Sequence, residues 1–253
     1  MNEHGVQWRA NRALRHWRLP LAWLVLLTAL TVGMAELESV FRWVEADSRQ
    51  VIYDRADFVT LLGRHLLVVS VASLLATLIG VSAAIAVTRH AGQDFLPLVA
   101  QIASMGQTFP PVAVLALAVP VLGFGTLPII VALLLYGLLP IVRNTLAGLQ
   151  GIEPSILEAA RGMGMSGGQV LRQVELPLAA PVILAGIRTS VTVSIATAAL
   201  GATVGASNLG DPIISGIVNG NTAYILQGAL MIGLLALTVD STFERLTVRR
   251  ISR

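Results

Sequence analysis

The sequence predicts an all-α polytopic membrane protein with about six transmembrane helices and a patterned inner loop between the fourth and fifth. Three observations predict it: the composition, the spacing of long uncharged runs, and the placement of arginine. Hydrophobic residues make up 55% of the 253 and charged residues 12%, against about 25% charged in a soluble domain. With a mean hydropathy of +0.77, too little polar surface remains to keep the chain in water, and lipid is the solvent that fits.

A bilayer core is crossed by about 20 apolar residues. By that measure the expected spans are Leu19–Ala35, Leu66–Val87, Leu96–Leu122, Thr126–Ile141, Leu178–Val204 and Ala223–Val239. Cytoplasmic loops carry the excess of basic residues, so Arg9, Arg12, Arg15 and Arg18 place the N-terminus inside. The mixed-charge stretch Glu36–Arg64 falls outside, and Arg89 returns the chain inside. Gly123–Gly125 makes a tight outer turn, Arg143, Arg161 and Arg172 mark a longer inner loop, and Gly205–Asn221 is outer with only Asp211 charged. Arg245, Arg249, Arg250 and Arg253 close the chain inside. The basic start followed by an apolar run and Val32-Gly33-Met34-Ala35 also resembles a cleavable signal peptide. The long basic region and an apolar run longer than a signal core favour a retained first span. The organisation expected is residues 1–60 as tail, first span and outer loop, 61–245 as the main transmembrane domain, and 246–253 as an inner tail.

Two absences narrow the chemistry. There is no cysteine, which excludes disulfides and thiolate sites. There is no lysine either, all 17 basic residues being arginine, so the chain cannot complete a P-loop. If ATP drives its work, another subunit binds it. His4, His16, His65 and His90 lack metal-ligand spacing, and no dyad suits an intramembrane enzyme. The arginines punctuate apolar segments instead of forming a nucleic-acid patch, so no nucleic-acid partner is expected.

The stretch Gly151–Pro177 is the most informative. Pro154 suits the first turn of a helix, and Glu158 and Arg161 stand at i,i+3 on one side of the run to Gly162. Gly162 and Gly164 are expected to stop it. Ser166-Gly167-Gly168-Gln169 reads as a capping box opening a second short helix, and Pro177 as the turn back into the membrane. Two readings fit this pair of amphipathic helices: a rigid knob that passes a push from a soluble motor to the membrane, or a loop floating on lipid headgroups. Gly162-Met163-Gly164-Met165-Ser166-Gly167 matches G-x-G-x-x-G only formally, since a helix and not a strand precedes it.

Glu158-Ala159-Ala160, then Gly164, then Val174-Glu175-Leu176-Pro177 resembles the EAA-loop signature of binding-protein-dependent ABC importer permeases, with Val174 where isoleucine is usual. That resemblance implies a coupling helix at Glu158, Ala159, Ala160, Gly164, Leu176 and Pro177 that docks on an ATPase subunit. ATP and Mg would be held by that partner, with no cofactor in this chain. It also implies a second permease subunit, identical or paralogous, an extracytoplasmic binding protein, and a bacterial inner membrane. Gln107-Thr108-Phe109-Pro110, Gly123–Pro128, Pro140–Thr145 and Gly205–Asp211 are similar to the osmoprotectant branch, which carries glycine betaine, choline and carnitine. Related importers of methionine and other solutes share versions of these strings.

Inside the fifth span Arg188 has two readings, a pathway or gate residue and a side chain snorkelling to the headgroups. Thr192 and its hydroxyl neighbours Thr189, Ser190, Ser194 and Thr197 either line a wet path or pack helices. Asp211 is accounted for by solvated turn chemistry. Aromatic residues are only 5% of the chain and scattered, a poor basis for an aromatic cage around a quaternary ammonium group. Specificity is therefore expected in the binding protein. The rival class, an ion-coupled secondary transporter, calls for midplane ionisable groups in paired repeats, and no acidic residue lies deep in a predicted span.

Overall fold

The computed structural model describes residues 3–46 and 48–251, with side chains described for 17–46 and 48–246. Asp47 and Arg253 therefore lie outside the described residues, as do the side chains of His4, Arg9, Arg12, Arg15, His16, Arg249 and Arg250. Every described regular element is helical, as hydrocarbon demands of a chain that must satisfy its backbone polar groups internally. Among the described residues, five helical segments are long and apolar enough to cross a membrane, and a sixth crossing is available if one bent pair counts as a span. The chain divides into two compact units, one of residues 1–67 with 198–253 and one of residues 68–197.

In the first unit α1 (Glu3–Gly33) packs along α11 (Thr222–Ile251). The helical path does not stop at Ala35 as expected. A 3-10 turn at Met34–Leu37 leads into α2 (Glu38–Val44), where Arg42 Nη2 donates to Glu38 Oε1 at 2.7 Å. The i,i+4 spacing of that pair supports a helix, by about 0.2–0.5 kcal/mol, in a stretch expected as loop. Residues 45–57 are then tied to α11 by side chains. Gln227, 0% exposed, accepts from Tyr53 N at 3.0 Å and donates to Val51 O at 2.5 Å. Asn221 Nδ2 donates to Gln50 O at 2.9 Å. Glu45 accepts from Thr222 N at 2.9 Å, and that bond holds its carboxyl below the usual range. Asp57 starts α3 (Phe58–Thr88) by accepting from Thr60 N at 2.8 Å and Thr60 Oγ1 at 2.7 Å, an N-terminal cap. The segment from Gly205 to Asn221 is not an open loop either, since it contains α10 (Asp211–Asn219) packed on α11.

In the second unit the expected third span is broken. Residues 96–122 form α4 (Leu96–Thr108) and α5 (Pro111–Leu122), bent by 98° where the 93–108 helical run meets α5. The cause is local: Pro110 forces its predecessor away from helical dihedrals, and Phe109 is extended at φ −87°, ψ 141°. Both helices pack on α6 (Thr126–Gln150). The α5–α6 turn has the glycines that such a corner requires, Gly123 at φ 79° and Gly125 at φ 116°. Helix α6 continues nine residues past the expected end at Ile141, so Arg143 lies on it and not in the inner loop.

Pro140 inside α6 removes the N–H that would reach Tyr136 O, four residues back. Gln107 Nε2 from α4 donates to that carbonyl at 3.0 Å, while Tyr136 Oη donates to Phe109 O at the α4–α5 break. Each break thus supplies what the other lacks. The helices approach closely at Gly106, where an added Cβ would collide with the Leu135 carbonyl. Below the crossing, Ala103, Leu139, Val142 and Leu146 form a core with Ala84 and Val87 of α3.

Gly106→Ala should destabilise the protein by about 1–3 kcal/mol, the usual cost of overpacking, read as an unfolding midpoint several degrees lower in detergent. Gly63→Ala on α3, with open space at its Cβ position, should leave the midpoint unchanged or slightly raised.

Candidate functional site

The loop singled out by pattern folds as two short helices, α7 (Pro154–Gly162) and α8 (Gly167–Val170). Pro154 is at the start of α7, where its missing N–H is no loss. The end of α7 is a Schellman turn. Met165 N donates to Ala160 O at 3.2 Å and Gly164 N to Arg161 O at 2.9 Å, with Gly164 left-handed at φ 81°. Gly164 alone makes the stop, because Gly162 ends the helix without positive φ. The capping box forms: Ser166 Oγ accepts from Gln169 N at 3.4 Å, and Gln169 Oε1 accepts from Ser166 N at 2.8 Å.

The segment beyond the capping box departs from expectation. Pro177 does not turn the chain. From Gly167 to Val204 the helical path is continuous, through α8, a π-helical turn at Leu171–Glu175, α9 (Leu176–Ala198) and a 3-10 turn at Ala199–Val204. Proline is tolerated where it needs no i−4 partner, and the wider π-turn just before Pro177 relaxes that requirement. A π-turn inserts one residue, rotating the rest of the helix face by roughly 100°.

The predicted site residues separate into two sets. Glu158, Ala159, Gly164 and Pro177 are exposed, and nothing lies within 4 Å of a Cβ added at Gly162 or Gly164. This surface is open to a partner. Ala160, 2% exposed, faces inward and supports the loop, and Leu176 packs against Leu149, Ala179 and Ile183. Arg188 and Thr192, both half-buried, sit one turn apart on the same side of α9. Among the described residues the Thr192 hydroxyl has no hydrogen-bond partner. Ser190 is buried at Gly137 of α6, where a Cβ would come within 2.6 Å of Ser190 Oγ, so this hydroxyl packs helices rather than lining a path.

One pair was not anticipated as a pair. Glu175, inside the loop signature, is 7% exposed at its side chain, and its Oε2 lies 2.6 Å from Arg89 Nη2 at the end of α3. Arg89 Nη1 reaches Oε1 at 3.2 Å, completing a two-pronged fork. Thr88 Oγ1 accepts from Arg89 Nη2 at 3.0 Å and donates to Ile85 O at 2.8 Å. A cavity of about 640 Å³ lies beside the pair, lined by Arg89, Gln150, Leu157, Arg161 and Glu175 among others. The sequence signal was an acid embedded in Val174-Glu175-Leu176, since a buried carboxylate needs a counter-charge, but no spacing rule names a partner 86 residues away.

Two other expectations change. Asp211 is half-buried and fixed, accepting from Ser207 Oγ at 2.7 Å and Asn208 N at 3.3 Å, so it is not a solvated turn residue. Asn208 (0% exposed) donates to Ala198 O and Ala206 O and accepts from Gly210 N. The aromatics are less scattered than the sequence suggests: Tyr53 stands edge-on to Phe58 and to Tyr224, with centroids 6.4 and 5.5 Å apart. No cluster of three metal-ligating side chains occurs among the described residues.

Residues 66–252 match the family model of the binding-protein-dependent transport system inner membrane component. The chain belongs to this family. The osmoprotectant import permease protein OsmY of Salmonella typhimurium is 42% identical over 218 residues, covering 86% of this chain and 88% of that protein. The glycine betaine/carnitine/choline transport system permease protein OpuCB of Bacillus subtilis is 39% identical over 178 residues, covering 70% and 81%. Among solved structures, the MetNI methionine ABC transporter in an inward-facing conformation superposes with a TM-score of 0.68 over 76% of this chain and 95% of that one, at 21% identity. At that identity the likeness speaks for the fold. Membership sets aside the secondary transporter and the intramembrane enzyme. This family component is a multi-pass membrane protein.

Breaking the fork on one side should be costly. Glu175→Ala or Arg89→Ala should each lose about 1–3 kcal/mol, less than the 3–5 of a fully buried pair because Arg89 is 36% exposed at its side chain. The double replacement Arg89→Met with Glu175→Met should recover much of that loss, as measured by unfolding midpoints in detergent.

Proposed function

We propose that this chain is the permease subunit of a bacterial inner-membrane ATP-driven importer for small quaternary ammonium solutes such as glycine betaine, choline and carnitine. The observation that carries the substrate class is the identity of about 40% to permeases named for those solutes. The ATPase reading is supported by the loop: an exposed Glu158-Ala159 face and a rigid glycine cap. The cap is followed by a continuous helical path from Gly167 through α9.

In this reading two ATPase subunits hold ATP and Mg, since a chain without lysine cannot build a P-loop. They receive the knob formed by Glu158, Ala159 and Gly164. Ala160 stiffens it from inside. Leu176 and Pro177 begin the helix through which displacement enters the membrane, and the Arg89–Glu175 fork makes α3 move with that helix. Arg188 and Thr192, on the same helix, are the groups such a movement carries along a central path shared with a second permease subunit. An extracytoplasmic binding protein delivers the solute. Sub-ångström displacement can be passed on because packed elements shift as bodies and do not deform continuously.

Proteoliposomes containing this chain with its ATPase and binding protein should accumulate radiolabelled glycine betaine only when ATP and binding protein are both present. ATPase stimulation by a binding protein loaded with another solute, without betaine uptake, would keep the importer and discard the substrate class. Uptake by this chain alone under an ion gradient would contradict the reading. Gly164→Trp, which places a large side chain at a left-handed position on the docking face, should insert normally yet reduce uptake at least tenfold. Normal uptake by that variant would remove the coupling role.

A further inference from the structure

The first unit contains a cavity of about 300 Å³ on the predicted outer face, lined by Tyr53, Arg55, Asp211, Ile214, Ser215 and Asn219 with smaller apolar neighbours. It lies at the small end of ligand-pocket sizes and suits a solute the size of an amino-acid derivative. A tyrosine, a carboxylate residue and an arginine all line this one space.

Each group is held differently. Tyr53 is 7% exposed, and its ring is set from behind by Phe58 and Tyr224. Its backbone is anchored by Gln227. Burial pushes the Tyr53 hydroxyl up from its ordinary range, with the Asp211 carboxylate adding to the effect and Arg55 opposing it, so both charges are felt at the ring. Asp211 is fixed by Ser207 and Asn208. Arg55 is exposed and, among the described residues, makes no hydrogen bond or ion pair. It is a cation at the rim with its donors uncommitted.

We propose that this cavity is a reception site on the permease for a quaternary ammonium zwitterion, with Tyr53 and Asp211 receiving the trimethylammonium group and Arg55 the carboxylate. The proposal rests on the substrate class argued above and adds a site in this chain. Aromatic faces attract quaternary ammonium, and a fixed carboxylate strengthens that end without competing for Arg55. The rim guanidinium, which presents a flat fork of donors, is the charged group that distinguishes a solute with a carboxylate from one with a hydroxyl. Betaine and carnitine are therefore separated from choline by one residue.

The test is saturation-transfer NMR on the assembled permease–ATPase complex in nanodiscs, without binding protein, titrating glycine betaine and choline separately. The wild type should give saturable signals from the N-methyl protons of both. Arg55→Gln should raise the Kd for betaine about tenfold, as loss of a charge-assisted hydrogen bond would, and leave choline within about twofold. Tyr53→Leu should weaken both about two- to fivefold, and Tyr53→Phe, which keeps the ring, should restore them. Absence of a saturable wild-type signal, or an equal shift for both solutes in Arg55→Gln, would overturn the site. ATP-driven betaine uptake by the same wild-type complex with its binding protein separates the failures. Uptake without NMR binding removes the site alone, and no uptake removes the substrate class together with the site.

Discussion

A backbone group that loses its helical partner in hydrocarbon finds no water to replace it, and this constraint governs where the chain is allowed to be irregular. Several internal breaks are closed by polar side chains. The α4–α5 bend is closed by Tyr136 of α6, and the gap left by Pro140 in α6 by Gln107 of α4. The segment after α9 is closed by Asn208, which serves three backbone groups. Outside the spans, the extended stretch before α3 is held in the same way by Gln227 and Asn221. Gln227 and Asn208 are both fully buried, a position amide groups hold only when their hydrogen bonds are met.

The same constraint bears on the loop for which we propose the coupling role. A helix that is to receive a push from outside the bilayer must enter it without an open break, or the push is lost in a hinge. The chain meets this by turning sharply before the entry, at the Gly164 cap, and then staying helical from Gly167 to Val204. At the entry the irregularity is a π-turn whose last residue, Glu175, is fastened to Arg89. Charge at that point resists sliding of α9 against α3 while the exposed face of α7 remains uncommitted.

Much of this was legible in the residues. Composition and arginine placement gave the class, because lipid exposure and basic inner loops leave marks in every segment. The capping box and the Gly164 stop were readable because they are local chemistry over a few residues. Element ends were less legible: Pro110 broke a span while Pro140, Pro177 and Pro181 did not. Proline removes a donor wherever it falls, and its surroundings decide whether the helix survives, through a partner such as Gln107 at Pro140 or a π-turn such as the one before Pro177. The Arg89–Glu175 fork, the Tyr53–Phe58–Tyr224 cluster and the fixed Asp211 were hidden for the same reason, since each is made by residues brought together only by the fold or placed by a helix that the sequence read as loop.

The central claim is that the α7 face meets the ATPase, and the cysteine-free sequence makes a direct measurement available. Ala159→Cys would be the single thiol of the chain, labelled with a membrane-impermeant maleimide in vesicles of each orientation, with and without the ATPase subunit. The account predicts labelling only from the cytoplasmic side and strong protection when the ATPase is present. Labelling from the outer side, or equal labelling with and without the ATPase, would contradict it.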